Sequence, residues 1–217
     1  MNKQRRPIIN IKGQKFIMEK QKPVVIPWSQ KLELKYWRKT GIKKGTSIYD
    51  NYWKAFDLFK YDFSGKKIVD VGCGPFGGVF YNCKDLDVTL VDYCARTYNE
   101  MNLCKMNIIN GNLNKRLFFD DNIFDYAVCT NTIDHILDIQ NGFCELNRIL
   151  KQEGILFLYV HLRKKNQLTK GHIYVLNREI VNDYIQKSNF KIIIQKVDKD
   201  WVNGRNDREA LCAVLKK

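Results

Sequence analysis

The segment Ile68-Val-Asp-Val-Gly-Cys-Gly-Pro-Phe-Gly-Gly78 constrains this chain more than any other. A short β-branched run suits a strand, and the glycines after it allow a sharp turn that brings backbone close to a ligand. This places a strand over 67–71, then a turn, then a helix beginning within 76–83. Around it, apolar runs alternate with helical periodicity. Strands are expected over 88–91, 106–109, 124–129 and 155–160, helices over 95–104, 141–150 and 178–187, and a closing strand pair over 191–195 and 211–215. That alternation predicts a three-layer α/β domain with a largely parallel sheet. In such sheets ligands bind at the carboxyl ends of the strands, where the strand order reverses.

Two ligand classes compete for the turn. Gly72, Gly74 and Gly77 match GxGxxG, the dinucleotide fingerprint. Pro75 argues against it, since it offers a pyrophosphate no N–H. Asp70 argues against it too, because a carboxylate at the strand end suits a cation better than a polyanion. S-adenosylmethionine meets both constraints: it has no phosphates and carries a sulfonium and an ammonium.

Val69-Asp-Val-Gly-Cys-Gly-Pro75 resembles motif I of the class I S-adenosylmethionine-dependent methyltransferases, with Phe76 where the family usually has its third glycine. Val88-Thr-Leu-Val-Asp92 resembles the second-strand motif, and Asp92 follows Asp70 at close to the roughly 20-residue spacing this geometry needs. Asn110-Gly-Asn112-Leu113 stands where the family commonly has an acid beside the adenine. Phe124-Asp-Tyr-Ala-Val-Cys-Thr-Asn-Thr-Ile-Asp-His135 and Glu145-Leu-Asn-Arg-Ile-Leu-Lys-Gln-Glu-Gly-Ile-Leu-Phe-Leu158 resemble the fourth-strand loop and the helix-turn-strand after it. The likeness is firm over 66–160, looser to 197, and does not cover 1–46. It implies a small-molecule, type 11-like methyltransferase with a Rossmann-like fold, whose mostly parallel seven-stranded sheet has an antiparallel last strand. It also implies S-adenosyl-L-methionine as cofactor. Asp70, Gly72, Cys73 and Gly74 would then cradle the methionine end, Asp92 and Tyr93 the ribose, and Asn112 and Leu113 the adenine. Thr130 would also belong to the cofactor-binding set.

The loop after that strand, Asn131-Thr-Ile-Asp-His135, lacks the prolines of the Asn/Asp-Pro-Pro-aromatic motif of base and amide N-methyltransferases. The Pro-Cys nucleophile of cytosine C5 enzymes is also missing, which disfavours DNA bases as acceptors. All three histidines of the chain, His135, His161 and His172, follow strand four. A group titrating near neutrality suits removal of a hydroxyl proton during attack. Each also suits a structural role: His172 can form a turn with Gly171, and Asp134 can orient a histidine or cap its loop. Val160-His-Leu-Arg163 and Gly171-His-Ile-Tyr174 resemble methyltransferases found with bacterial surface-polysaccharide genes. These readings lead to O-methylation of a small polar acceptor, such as a sugar or nucleotide-linked sugar.

The net charge of +14 is uneven. Residues 1–46 hold 13 Lys/Arg against Glu19 and Glu33 alone, while the remaining 171 residues hold 24 basic and 21 acidic ones. A nearly neutral domain over 47–217 therefore follows a basic arm and short helix over 1–46, and a helical cap before the domain is expected to cover the acceptor pocket. The arm is either a solvated extension or a patch for an anionic partner. An RNA methyltransferase is accordingly the alternative, with the arm on phosphates and Trp28, Tyr36 or Trp37 stacking on a base. A non-catalytic binding module of the same fold is a third reading. Pro7, Pro23 and Pro27 predict irregular chain over 1–28, and a helix is expected over 29–39. Ser47 with Asp50 signals the start of another, with Ile48, Tyr52, Trp53, Phe56 and Phe59 as its packing face. Lys3, Arg5 and Arg6 begin no signal peptide, because Asn10 and Lys12 interrupt Ile8-Ile9. The longest apolar run, 155–160, is too short to span a membrane. Cys73, Cys83, Cys94, Cys104, Cys129, Cys144 and Cys212 form no CxxC and no Cys/His pair at ligand spacing. Reduced thiols, no metal site and a cytoplasmic location are the expectation.

Overall fold

A computed structural model describes residues 8–11, 14–17, 28–103, 106–169, 172 and 174–217. Pro7, Pro23, Pro27, Cys104, Gly171 and the side chain of Trp28 lie outside the described residues. Near the start, β1 (Ile8–Ile11) and β2 (Gln14–Ile17) pair antiparallel, where irregular chain was expected. The helical segment α1 (Trp28–Phe56) is broken at Gly41, whose φ of 72° and ψ of 166° lie outside helical space. There follow β3 (Lys67–Val71), β4 (Asp87–Asp92), α2 (Ala95–Met101), β5 (Ile108–Asn110) and β6 (Phe124–Thr130). The chain closes with α3 (Ile139–Ile149), β7 (Leu150–Leu162), α4 (Arg178–Lys187), β8 (Lys191–Asp200) and β9 (Arg205–Lys216). None of the described helices is long and apolar enough to cross a membrane.

Seven strands form one sheet in the order β5-β4-β3-β6-β7-β9-β8. β5, β4, β3, β6 and β7 pair parallel, and β9 runs antiparallel to both its neighbours. This is the sheet that the resemblance implies. The apolar run of β7 serves both faces, because successive strand residues point to opposite sides. Leu156, Leu158 and Val160 join Phe143, Leu146 and Ile149 of α3 in one buried cluster. Phe157 and Tyr159 face the other way, their rings 5.6 Å from Phe56 and 5.1 Å from Tyr52 of α1. β3 has β4 on one side and β6 on the other, so the strand order reverses at its carboxyl end and opens a crevice there.

Several local expectations give way to tertiary contacts. No helix forms within 76–83; residues 72–86 are loop built mainly of turns and bends. Gly77 and Gly78 take φ of 99° and 67°, which ends any helical path, and Val79 N donates to the Asp70 carboxylate at 2.7 Å. Ser47 lies inside α1, because the break falls earlier, at Gly41. Phe59 leaves the packing face: Asp57 turns left-handed at φ 54° and Phe59 is 74% exposed. Asp138, not Asn141, caps α3, accepting from Asn141 N at 2.9 Å, while Asn141 Nδ2 donates to Leu113 O. The closing strands run longer than their apolar stretches, β8 extending to Asp200 and β9 starting at Arg205 and reaching Lys216. Residue 46 falls within α1, and Leu34 and Trp37 share a buried cluster with Ile48, Tyr49, Tyr52 and Phe56.

Phe76 fixes how α1 sits on the glycine loop. Its ring meets Trp37 edge-on at 5.4 Å and lies so close to Gly45 that a Cβ there would overlap it. Alanine is the better helix former by roughly 1 kcal/mol. Overpacking typically costs about 1–3 kcal/mol and outweighs that gain. Gly45→Ala should therefore lower the unfolding free energy, measured by urea denaturation; an unchanged or raised value would contradict this packing.

Candidate active site

The glycine turn owes its shape to hydrogen bonds with the next strand. Gly72 N and Cys73 N both donate to Val91 O, at 2.7 and 3.3 Å. Gly72 (φ 80°) and Gly74 (φ 68°) are left-handed, a region that costs other residues energy. Space demands glycine as well. A Cβ on Gly72 would overlap Thr132, and one on Gly74 would stand 2.7 Å from the Tyr49 hydroxyl. That hydroxyl donates to Cys73 O at 2.8 Å and ties α1 to the turn.

A cavity opens at the carboxyl ends of β3, β4 and β6 and is roofed by α1. Gly72, Cys73, Gly74, Asp92, Tyr93, Asn112, Leu113, Thr130 and His135 all line it. Asp70, His161 and His172 do not. Asp70 is fully buried beneath the turn: Oδ2 holds Val79 N, and Oδ1 has no hydrogen-bond partner. Burial pushes its carboxyl up to about 7, against the Val79 hydrogen bond and with the help of nearby Asp92. Asp92 accepts from Cys94 N at 2.7 Å and Gly74 N at 3.1 Å; burial outweighs both and raises it to about 6. Asn112 Oδ1 already accepts from the backbone and side-chain nitrogens of Asn114.

The roof supplies residues that sequence reasoning did not place in the site: Glu33, Trp37, Tyr49 and Tyr52 of α1. Glu33 accepts from Trp37 Nε1 at 2.5 Å, and burial raises its carboxyl. Its signal lay in the charge pattern, as one of two acids among the first 46 residues. Of the aromatics considered for base stacking, Trp37 is buried and Tyr36 stays exposed on the cavity wall. The cavity lining holds Glu33 and Asp92 but no Lys or Arg among the described residues, on a chain of charge +14.

Beyond His135 the three histidines converge on one buried carboxylate. Asp134 is 1% exposed, and its Oδ2 lies 3.0 Å from His172 Nδ1 and 3.9 Å from His161 Nδ1. The His135 and His172 rings are 4.1 Å apart. Burial works against the charge of Asp134, but His135, His172 and His161 together outweigh it and hold the carboxyl well below its usual range. His161 is itself buried, which lowers its pKa. Its Nε2 lies 3.0 Å from Asp200 Oδ2 and 3.2 Å from Asn203 Nδ2 and Arg208 Nη2.

Residues 69–158 match the family model described as a methyltransferase domain. An uncharacterized protein of Methanocaldococcus jannaschii is 33% identical over 126 residues, covering 56% of this chain and 53% of that protein. A ubiquinone biosynthesis O-methyltransferase of Rickettsia prowazekii is 27% identical over 121 residues, covering 52% and 46%. The chain thus spans about half the length of these relatives. A Thermotoga maritima structure, described as an S-adenosylmethionine-dependent methyltransferase and possible histamine N-methyltransferase, superposes with a TM-score of 0.63 at 17% identity. It covers 87% of this chain and 97% of its own. The seven-stranded sheet is the class I methyltransferase fold.

The raised carboxyls give stability a definite pH dependence. The unfolded chain releases these protons near pH 4. The folded chain keeps them to about 6 at Asp92 and about 7 at Asp70. The folded state then binds the extra protons, so stability falls as pH rises from about 4 to about 7. Asp70→Asn keeps an acceptor for Val79 N and removes one contributor, at most about 1.4 kcal/mol per pH unit. Between pH 5 and 8 the variant should lose less stability to urea than the parent; equal losses would rule out a raised Asp70.

Proposed function

We propose that this chain, whose residues 69–158 match the methyltransferase domain family, is a class I S-adenosylmethionine-dependent methyltransferase that methylates a hydroxyl of a small polar acceptor. A sugar or a nucleotide-linked sugar is the acceptor class. The observation that carries the reading is the cavity itself. A cradle that only glycines permit faces two carboxyls, with no Lys or Arg among the described residues of its lining to pair a phosphate. That donor set fits a cationic, phosphate-free ligand and does not fit a dinucleotide.

Within this reading Asp92 accepts the ribose hydroxyls, since each carboxylate oxygen retains a lone pair beyond its backbone hydrogen bond. Leu113 and Asn112 border the adenine, and Gly72, Cys73 and Gly74 pass beneath the methionine end. Asp70 acts at one remove, holding Val79 N so that the turn keeps its shape. Glu33 and Asp92 offset the positive charge of the ligand. When bound, S-adenosylmethionine supplies an electrophilic methyl carbon. The residues of the chain must align an acceptor oxygen with it and exclude water. A hydroxyl also has to lose its proton as it attacks. The Asp134–histidine cluster is the part of the chain placed to take that proton or to make it more acidic, and His135 is its member on the cavity wall.

Asp92→Ala should weaken S-adenosylmethionine binding by about tenfold to a hundredfold in calorimetry, the loss expected for hydrogen bonds to a charged group. Parental binding should also weaken below about pH 6 as Asp92 takes up its proton. His135→Ala should cut turnover by about 100-fold or more while leaving cofactor affinity in place. Labelled S-adenosylmethionine should mark nucleotide sugars or glycans. Label appearing in RNA instead would overturn the acceptor class, and no cofactor binding at all would overturn the reading as a whole.

A further inference from the structure

The only three histidines of this chain gather around one buried carboxylate, although His135, His161 and His172 come from three separate segments. One ligand-capable atom each from Asp134, His135 and His172 lies within 4.8 Å of the other two. Two of the groups have capacity left over: Asp134 Oδ1 and His135 Nε2 are buried and have no hydrogen-bond partner. A buried polar atom without a partner is costly, so its presence calls for a ligand or another explanation. The geometry points to a divalent transition-metal site formed by Asp134, His135 and His172, at the acceptor end of the cofactor cavity.

The donor set decides the ion class. Imidazole nitrogens with a single carboxylate suit zinc, iron, cobalt or manganese, whereas calcium and magnesium prefer all-oxygen shells. Ligand atoms about 2.1 Å from an ion lie roughly 3.0–3.4 Å from one another. His172 Nδ1 and Asp134 Oδ2 already stand 3.0 Å apart, within that range. Three protein ligands leave at least one coordination position free, the arrangement of a reactive rather than a structural site. The surroundings hold charges of both signs. Arg163 Nε lies 3.9 Å from Asp134 Oδ2, and Arg208 pairs with Asp200. Asp200 stands behind His161, and Glu33 is within electrostatic reach of His135.

The spacing of the ligands explains why no metal was expected from the sequence. Asp134 and His135 are neighbours, but His172 arrives from beyond β7. Backbone hydrogen bonds between Arg163 and Leu176, at 2.7 and 3.0 Å, close the base of that excursion. Thr169 and His172 bond reciprocally nearer its tip. This inference rests on the proposed O-methylation only for its chemistry. A bound cation would take the acceptor hydroxyl at its free position and make its proton more acidic.

The test uses the full chain, stripped with a chelator and titrated with Zn(II) by calorimetry and with Co(II) by visible absorption. S-adenosylmethionine affinity is measured on the same samples. The expected result is one ion per chain. Asp134→Asn and His172→Ala should each weaken metal affinity by about tenfold to a hundredfold. Cofactor affinity, which reports an intact fold, should stay unchanged in both variants. Chelation should also lower turnover, and the ion should restore it. The inference is overturned by cofactor binding without saturable one-to-one metal binding, or by variants that bind metal like the parent. It is equally overturned if turnover is indifferent to the chelator, as for a plain histidine base. Failure of the parent chain to bind S-adenosylmethionine would remove the methyltransferase reading instead, and the metal titration would still decide the site.

Discussion

The hydrogen bond from Val79 N to the buried Asp70 carboxyl organises everything around the cavity. It folds the loop after β3 back over the strand end, and it can form only because Gly78 has no Cβ to strike Asp70. That return is what replaces the expected helix. It carries Phe76 onto Gly45 and Trp37, and Val79 O onto the indole N–H of Trp53. α1 is thereby clamped across the glycine turn, and its inner face becomes the cavity roof. A buried carboxyl that resists ionisation is the cost of this arrangement.

The second organising feature is the meeting of charges behind His135. β6 delivers Asp134 and His135 through a loop that begins at Asn131, a left-handed residue whose N–H bonds Tyr159 O on β7. β7 itself carries His161, and the turn between β8 and β9 supplies Asn203, with Asp200 immediately before it. The proposed reaction thus divides between the two halves of the sheet. In that proposal the glycine turn after β3 and Asp92 on β4 would serve the cofactor, and the cluster beyond β6 and β7 would serve the acceptor. This division follows from the strand order, which reverses between β3 and β6.

Much of this is legible in the sequence alone. β3 and its glycines, β4 ending in Asp92, and the apolar run of β7 are local signals of composition and period, and they hold because parallel strands buried on both faces admit few other residues. Of the nine cofactor-side residues named from the sequence, Asp70 alone proves to lie behind the cavity rather than on it. Strand position tells which end of the sheet a residue occupies, not which way its side chain turns. Glu33, Trp37, Tyr49 and Tyr52 were illegible for a related reason. Helical spacing in α1 identifies a buried face but not the surface it covers.

The sequence by itself determined the alternation of strands and helices, the glycine turn with its acid at the next strand end, and the uneven charge. These are properties of neighbouring residues, set by backbone sterics, hydrophobic period and simple counts. A helical cap over the pocket was expected, but only the tertiary structure decided which residues of α1 line its roof, that Asp70 supports the turn from below, and that three histidines share one carboxylate. Contacts between segments dozens of residues apart depend on how the layers pack, and no local pattern encodes their distances. The opening charge of +14 shows the same limit: the composition is strongly basic, yet folding places two acids and no Lys or Arg among the described residues of the cavity lining.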